Sequence, residues 1–153
     1  MRQVLVTRAE PGASETAARI TAMGHSVIVA PMLIIEPVAA NLETTGLQAL
    51  LFTSANGVAA FARESTERSL PAFCVGDATG EAATANGFGN VRVAGGDVRA
   101  LATFVAQTLR PGTGPLLHVA GADLAGDLVG ALRREGFTAE RRIFYRAVVV
   151  RHL

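Results

Sequence analysis

The sequence predicts an α/β fold in which a mainly parallel sheet is covered by helices on both sides. Three observations carry that prediction. Short apolar runs alternate with segments of helical periodicity along most of the 153 residues. No two of those runs are joined by a two-residue hairpin turn. And Ala49-Leu50-Leu51-Phe52 is apolar at every position, as expected of a strand buried on both faces.

The elements follow in order. Residues 4–7 read as a first strand closing on Thr7-Arg8, and Pro11-Gly12 as a loop. Ser14-Glu15 open a helix with Ala17, Ala18 and Ile20 on its apolar face, Met23 near its end and Gly24 as its stop. Residues 27–30 make a second strand ended by Pro31. Residues 32–41 read as an extended crossing with Pro37 inside it, and residues 42–48 as at most one helical turn. The third strand, 49–52, runs into Thr53-Ser54-Ala55-Asn56, three of which are good helix caps. Val58, Phe61 and Ala62 then repeat at helical spacing, so a helix is expected from Ala55 to about Glu67. Strand four is 72–75, followed by a helix to Asn86 that Gly87 stops. Strand five is 91–94, with a helix over 98–109; strand six is 116–120, with a helix over 124–135 ended by Gly136. The last strand covers about 140–150. The whole predicts a three-layer, flavodoxin-like arrangement.

Composition narrows the function. Half of the residues are hydrophobic, which allows a substantial core, yet no run approaches the length of a membrane span. The first eight residues lack the long apolar segment of a secretory signal. One cysteine, Cys74, excludes an internal disulfide, and the cytoplasm is the expected compartment. A net charge of +1, one tyrosine and no tryptophan give neither a polyanion-binding nor a base-stacking surface, so nucleic acid is not an expected partner. All 14 basic residues are arginine. Schiff-base chemistry and a P-loop are therefore excluded, because both require the lysine amine.

Ligands of open parallel sheets bind beyond the carboxyl ends of the strands. Here those ends are Thr7-Arg8, Ser54-Ala55-Asn56, Gly76-Asp77-Ala78-Thr79, Gly95-Gly96-Asp97 and Gly121-Ala122-Asp123. They are small, hydroxylic or glycine-rich, and helix starts add free amide hydrogens. Such a rim suits carboxylates or phosphates and has no nucleophile–base pair. Ser54 lacks a nucleophile elbow. His25, His118 and His152 have no metal-site spacing, so no metal is expected. No dinucleotide fingerprint is present. Cys74 reads as a core residue, and Asp123 and Asp127 as helix-dipole partners. Arg133, Arg134, Arg141 and Arg142 read as a solvated face, whereas Arg8, fixed at a strand end, is the better carboxylate clamp. Tyr145 is the one candidate acid; its other reading is a strand tyrosine with a surface hydroxyl. Two functions stay open on these residues: an enzyme acting on an acid-bearing substrate, and a non-catalytic module binding a carboxylated or phosphorylated small ligand.

Five stretches together resemble the uroporphyrinogen-III synthase family. They are Val4-Leu5-Val6-Thr7-Arg8, Ala30-Pro31, Phe52-Thr53-Ser54-Ala55-Asn56-Gly57-Val58, Val75-Gly76-Asp77-Ala78-Thr79 and Ile143-Phe144-Tyr145-Arg146-Ala147-Val148. The resemblance implies a cytoplasmic, cofactor-free lyase, monomeric in the family. Its substrate would be the linear tetrapyrrole hydroxymethylbilane, closed to uroporphyrinogen III with loss of water and inversion of the last pyrrole ring through a spiro intermediate. The substrate's carboxylates would be held in a cleft between two similar domains, largely by backbone amides and hydroxyls. Tyr145 would match the family's functional tyrosine, Gly76 and Thr79 its glycine-threonine loop, and Ser54 its cap serine. Thr7, Arg8, Asn56 and Gly121 complete the expected substrate-binding set. The resemblance further implies that residues 1–31 are part of a first domain, 32–36 a crossing linker, 37–148 a complete second domain and 149–153 the start of a return linker. On that basis the chain is expected to be a fragment, weak or inactive alone and able to self-associate.

Overall fold

A computed structural model describes residues 2–8, 12–30, 33–40, 42–122 and 126–149. The positions of Pro11, Pro31, Asp123 and His152, and the expected start of a return linker beyond residue 149, lie outside them. The chain divides into two compact units, residues 1–36 with 146–153, and residues 37–145.

The smaller unit holds β1 (Gln3–Val6), α1 (Gly12–Ala22), β2 (Ser26–Val29) and most of β3 (Leu33–Pro37). β1 and β2 pair in parallel, Gln3 opposite Ser26 and Val6 opposite Val29. Gly24 takes φ +86°, the left-handed conformation that ends α1. Leu5, Met23, Ile28 and Val29 are exposed apolar side chains. The crossing expected to be merely extended contains the strand β3. Within this unit Glu36 pairs with Arg146 at 3.3 Å.

The larger unit runs β4 (Ala49–Phe52), α2 (Ala55–Glu64), β5 (Ala72–Cys74), α3 (Asp77–Ala85), β6 (Val91–Val93), α4 (Val98–Thr108), β7 (Leu116–Gly121), α5 (Leu128–Arg134) and the first part of β8 (Ala139–Val149). In the sheet β8, β7, β4, β5 and β6 are neighbours in that order, and all four pairings are parallel. The three layers match the sequence expectation. Counted along the unit, however, the strand order is 3-2-1-4-5. The flavodoxin-like label therefore holds for the layers and not for the order, which in that fold is 2-1-3-4-5.

Alternation along each strand explains the layers. Leu50 and Phe52 of β4 face one cluster with Val58 and Phe61 of α2 and Ala83 of α3. Ala49 and Leu51 face another with Leu101 and Val105 of α4 and Leu132 of α5. All four β4 residues are fully buried, as their unbroken apolar run requires.

Three expected boundaries shift. Residues 42–48 form no helix. α2 stops at Glu64 because the next residues bond to themselves: Ser65 Oγ accepts from the Glu67 amide, and the Glu67 carboxylate accepts from Ser69 and Leu70 amides. Helix 124–135 begins only at Leu128, since Gly126 sits at φ +89° and Asp127 supplies the cap, accepting from Gly130 N–H at 2.9 Å.

Candidate functional site

The strand order places β4 at the point where the chain changes direction of growth: β5 and β6 add on one side, β7 and β8 on the other. Beyond the carboxyl ends of such strands a crevice opens. A cleft of about 380 Å³ lies there, lined by residues from the ends of β4, β5 and β7, by Arg141 and Tyr145 of β8, and by the starts of α4 and α5. That volume is within the range of roughly 300–1,000 Å³ usual for small-molecule sites.

Ser54 is the N-cap of α2: it is extended, and its Oγ accepts from Gly57 N–H at 3.0 Å. The glycine is required by packing. A Cβ on Gly57 would stand 3.0 Å from the Val119 carbonyl of β7, so α2 approaches the sheet closely and its amide end points at the strand border. Ser54 Oγ also lies 2.6 Å from the Tyr145 hydroxyl. Tyr145 reaches this position through a bulge: Ala120 pairs with Ile143, but Gly121 pairs with Tyr145. The consecutive Phe144 and Tyr145 thus both pack on the α2 cluster, which strict alternation forbids. The tyrosine ring covers Gly121, where a Cβ would stand 2.7 Å from the ring.

On the other face of the same border a second pair forms. Thr53 Oγ1 and His118 Nε2 are 2.9 Å apart. His118, only 8% exposed, is pulled down to a pKa of about 4, first by burial and then by the Arg141 charge directly opposite it on β8. The imidazole is therefore neutral at neutral pH. Arg141 donates from Nη2 to the carbonyls of Gly121 at 2.5 Å and Ala122 at 3.3 Å. At the mouth Asp97 caps α4, accepting from Ala100 N–H at 2.7 Å, and Asp127 caps α5.

The residues singled out in the sequence are thus partly gathered. Ser54, Gly121 and Tyr145 line the cleft together. Gly76 caps α3 without a side-chain bond and lies beside the lining residue Gly96, to which a Cβ would come within 3.5 Å. Thr79 is buried within the first turns of α3 and Asn56 is half-buried in α2; neither lines the cleft. Thr7 and Arg8 belong to the smaller unit, where Arg8 Nη1 donates to Thr16 Oγ1 at 3.1 Å.

Two readings are corrected. Arg141 is not simply part of a solvated face, because it lies half-buried in the cleft; Arg133 is exposed, as expected, while donating to the Ala139 carbonyl at 3.0 Å. The Tyr145 hydroxyl is not merely at the surface, because Ser54 partners it. Sequence reasoning also missed the Thr53–His118 pair. The available signal was a histidine inside an otherwise apolar strand, which demands a partner once buried.

Cys74 is buried, its thiol pushed up to about 12 by desolvation, so it offers no thiolate. Among the described residues no three of His, Cys, Asp and Glu converge on one point, and no helix is long and apolar enough to cross a membrane.

Residues 14–153 match the family HEM4, uroporphyrinogen-III synthase HemD. No curated protein matches the chain in sequence. Among solved structures it resembles a uroporphyrinogen-III synthetase from Helicobacter pylori, with TM-score 0.65, 17% identity, and coverage of 100% of this chain and 64% of the other. A mutant uroporphyrinogen III synthase from the extremely thermophilic bacterium Thermus thermophilus gives TM-score 0.61, 16% identity, and coverage of 98% and 64%. At these identities the likeness is one of fold. The chain spans 64% of the length of these solved relatives.

Proposed function

The chain belongs to the uroporphyrinogen-III synthase family, and from that premise we propose that its cleft serves the cyclisation of hydroxymethylbilane to uroporphyrinogen III in the cytoplasm. In this reading residues 37–148 are the domain that carries the cleft. Residues 1–31 belong to a first domain, 32–36 cross between the two and 149–153 lead back.

The observation that carries the proposal is the pair of hydroxyls, Ser54 and Tyr145, 2.6 Å apart on the lining of a cleft at the strand ends. Gly57 N–H donates to Ser54 Oγ, which polarises the serine hydroxyl toward the phenol oxygen and leaves the phenol proton for the cleft. The chemistry needs such a donor. The substrate's terminal C–O bond breaks, and the departing hydroxide takes the Tyr145 proton and leaves as water. The carbocation that remains is attacked by a ring carbon of the last pyrrole, giving the spiro centre. Rearrangement, closure and loss of a ring proton complete the product. Without steering, closure gives the uninverted isomer, so the protein's contribution is orientation of the terminal ring. Ser54, Gly76 and Gly121 at the border are assigned to holding the substrate's acid arms.

The test is product analysis. Hydroxymethylbilane is supplied to the protein, and the type III fraction is compared with the spontaneous background. An excess of type III that Tyr145→Phe lowers by about tenfold or more supports the proposal. Background-level product from a folded protein that still binds the tetrapyrrole would identify a binding module instead.

A further inference from the structure

The geometry points to a carboxylate subsite in the floor of the cleft, formed by the Arg141 guanidinium beside the Thr53–His118 pair, that seats one acid arm of the tetrapyrrole. This inference rests on the proposed function for the identity of the ligand and goes beyond it in naming the cation that orients it.

Four observations carry it. Arg141 is the only cation among the described residues lining the cleft. It is anchored: Nη2 is held on the carbonyls of Gly121 and Ala122, which fixes the guanidinium and leaves its other donors available. It has no carboxylate partner among the described residues, whereas Arg134, Arg142 and Arg146 pair with Asp127, Glu140 and Glu36. A half-buried, anchored and unpaired guanidinium is a fork pre-organised for a planar anion. Finally, among the described residues the other charges of the lining are the carboxylates Asp97 and Asp127, both at helix caps. They repel an incoming acid at the mouth, which leaves Arg141 as the one charged group of the described lining that attracts a carboxylate. Specificity by repulsion elsewhere fixes orientation as well as affinity.

The neighbouring pair fits the same role. His118 is opposite Arg141 across the β7–β8 ladder and bonded to Thr53. Being neutral, it adds no competing charge, and it holds the Thr53 hydroxyl at the edge of the subsite.

Uroporphyrin, the aromatic octa-acid related to the product, serves as a probe that needs no turnover. Its binding is measured by fluorescence at low and high salt for the wild type, Arg141→Gln, Arg141→Lys and, as a control on an exposed arginine of α2 outside the cleft, Arg63→Gln. The expected result is binding weakened about tenfold in Arg141→Gln. Its salt dependence should be flatter, Arg141→Lys should recover part of the loss, and Arg63→Gln should bind as the wild type. If Arg141→Gln binds as the wild type while the wild type still yields type III isomer, the subsite is wrong and the proposed function stands. If the wild type neither binds uroporphyrin nor exceeds the spontaneous isomer background, both fall. Should Arg141→Gln fail to fold, wild-type binding that is insensitive to salt, or Arg141→Lys binding no differently from the wild type, would overturn the subsite.

Discussion

Ser54 does two jobs, and two substitutions separate them. As N-cap of α2 it satisfies the Gly57 amide; as a hydroxyl it partners Tyr145. Ser54→Ala removes both and should lower stability by about 1 kcal/mol as well as type III formation. Tyr145→Phe leaves the cap intact, so it should lower product formation with little change in the denaturation midpoint. Denaturant titration of the two single variants and the double variant measures the split; equal losses of stability in both singles would refute it. At this scale the sequence was half legible. A serine between an apolar run and a helical repeat announces a cap, because capping is local chemistry. That Tyr145 meets that serine depends on the bulge at Gly121, and Arg141 meets His118 only through the β7–β8 register. Neither relation leaves a mark in local sequence.

Elements were more legible than the contacts between them. β4 lies at the residues its unbroken apolar run marks, and Gly24, Gly87 and Gly136 stop their helices at positive φ. The late start of α5 was hidden, since 124–127 continue an acceptable helical pattern while Gly126 adopts φ +89°. Close approach was hidden too. By helix propensity Gly57→Ala should stabilise α2, but its Cβ would press on the Val119 carbonyl at 3.0 Å, an atom of the central sheet that cannot step aside. The variant is therefore expected to lose roughly 1–3 kcal/mol, read as a lower thermal midpoint. Gly121→Ala should act on the site instead, since the tyrosine ring stands where the methyl would be. Product formation should drop with the far-ultraviolet circular dichroism spectrum unchanged.

At the scale of the whole molecule the strand order was not readable, because alternation of strand and helix is common to several doubly wound orders. The order is nevertheless what matters, since it puts β7 beside β4 and so sets His118 in the interior with Thr53 and Arg141 around it. That placement gives the molecule an acid-sensitive stability. His118 titrates near 4 when folded and near 6.5 when unfolded. Between those values the unfolded chain binds a proton that the folded one refuses, so stability present above pH 6.5 is lost as pH falls toward 4. Below that both states are protonated and the loss from this group stops. The shift corresponds to roughly 3 kcal/mol. Carboxylates, including Glu67, which the Ser69 hydroxyl holds below its usual range, contribute their own acid loss. The test is therefore a difference. Denaturation free energies of the wild type and His118→Gln are measured from about pH 7.5 to about pH 4, and the wild-type advantage should shrink steadily below about pH 6.5. Parallel curves across that window would show that His118 is not held neutral by the fold.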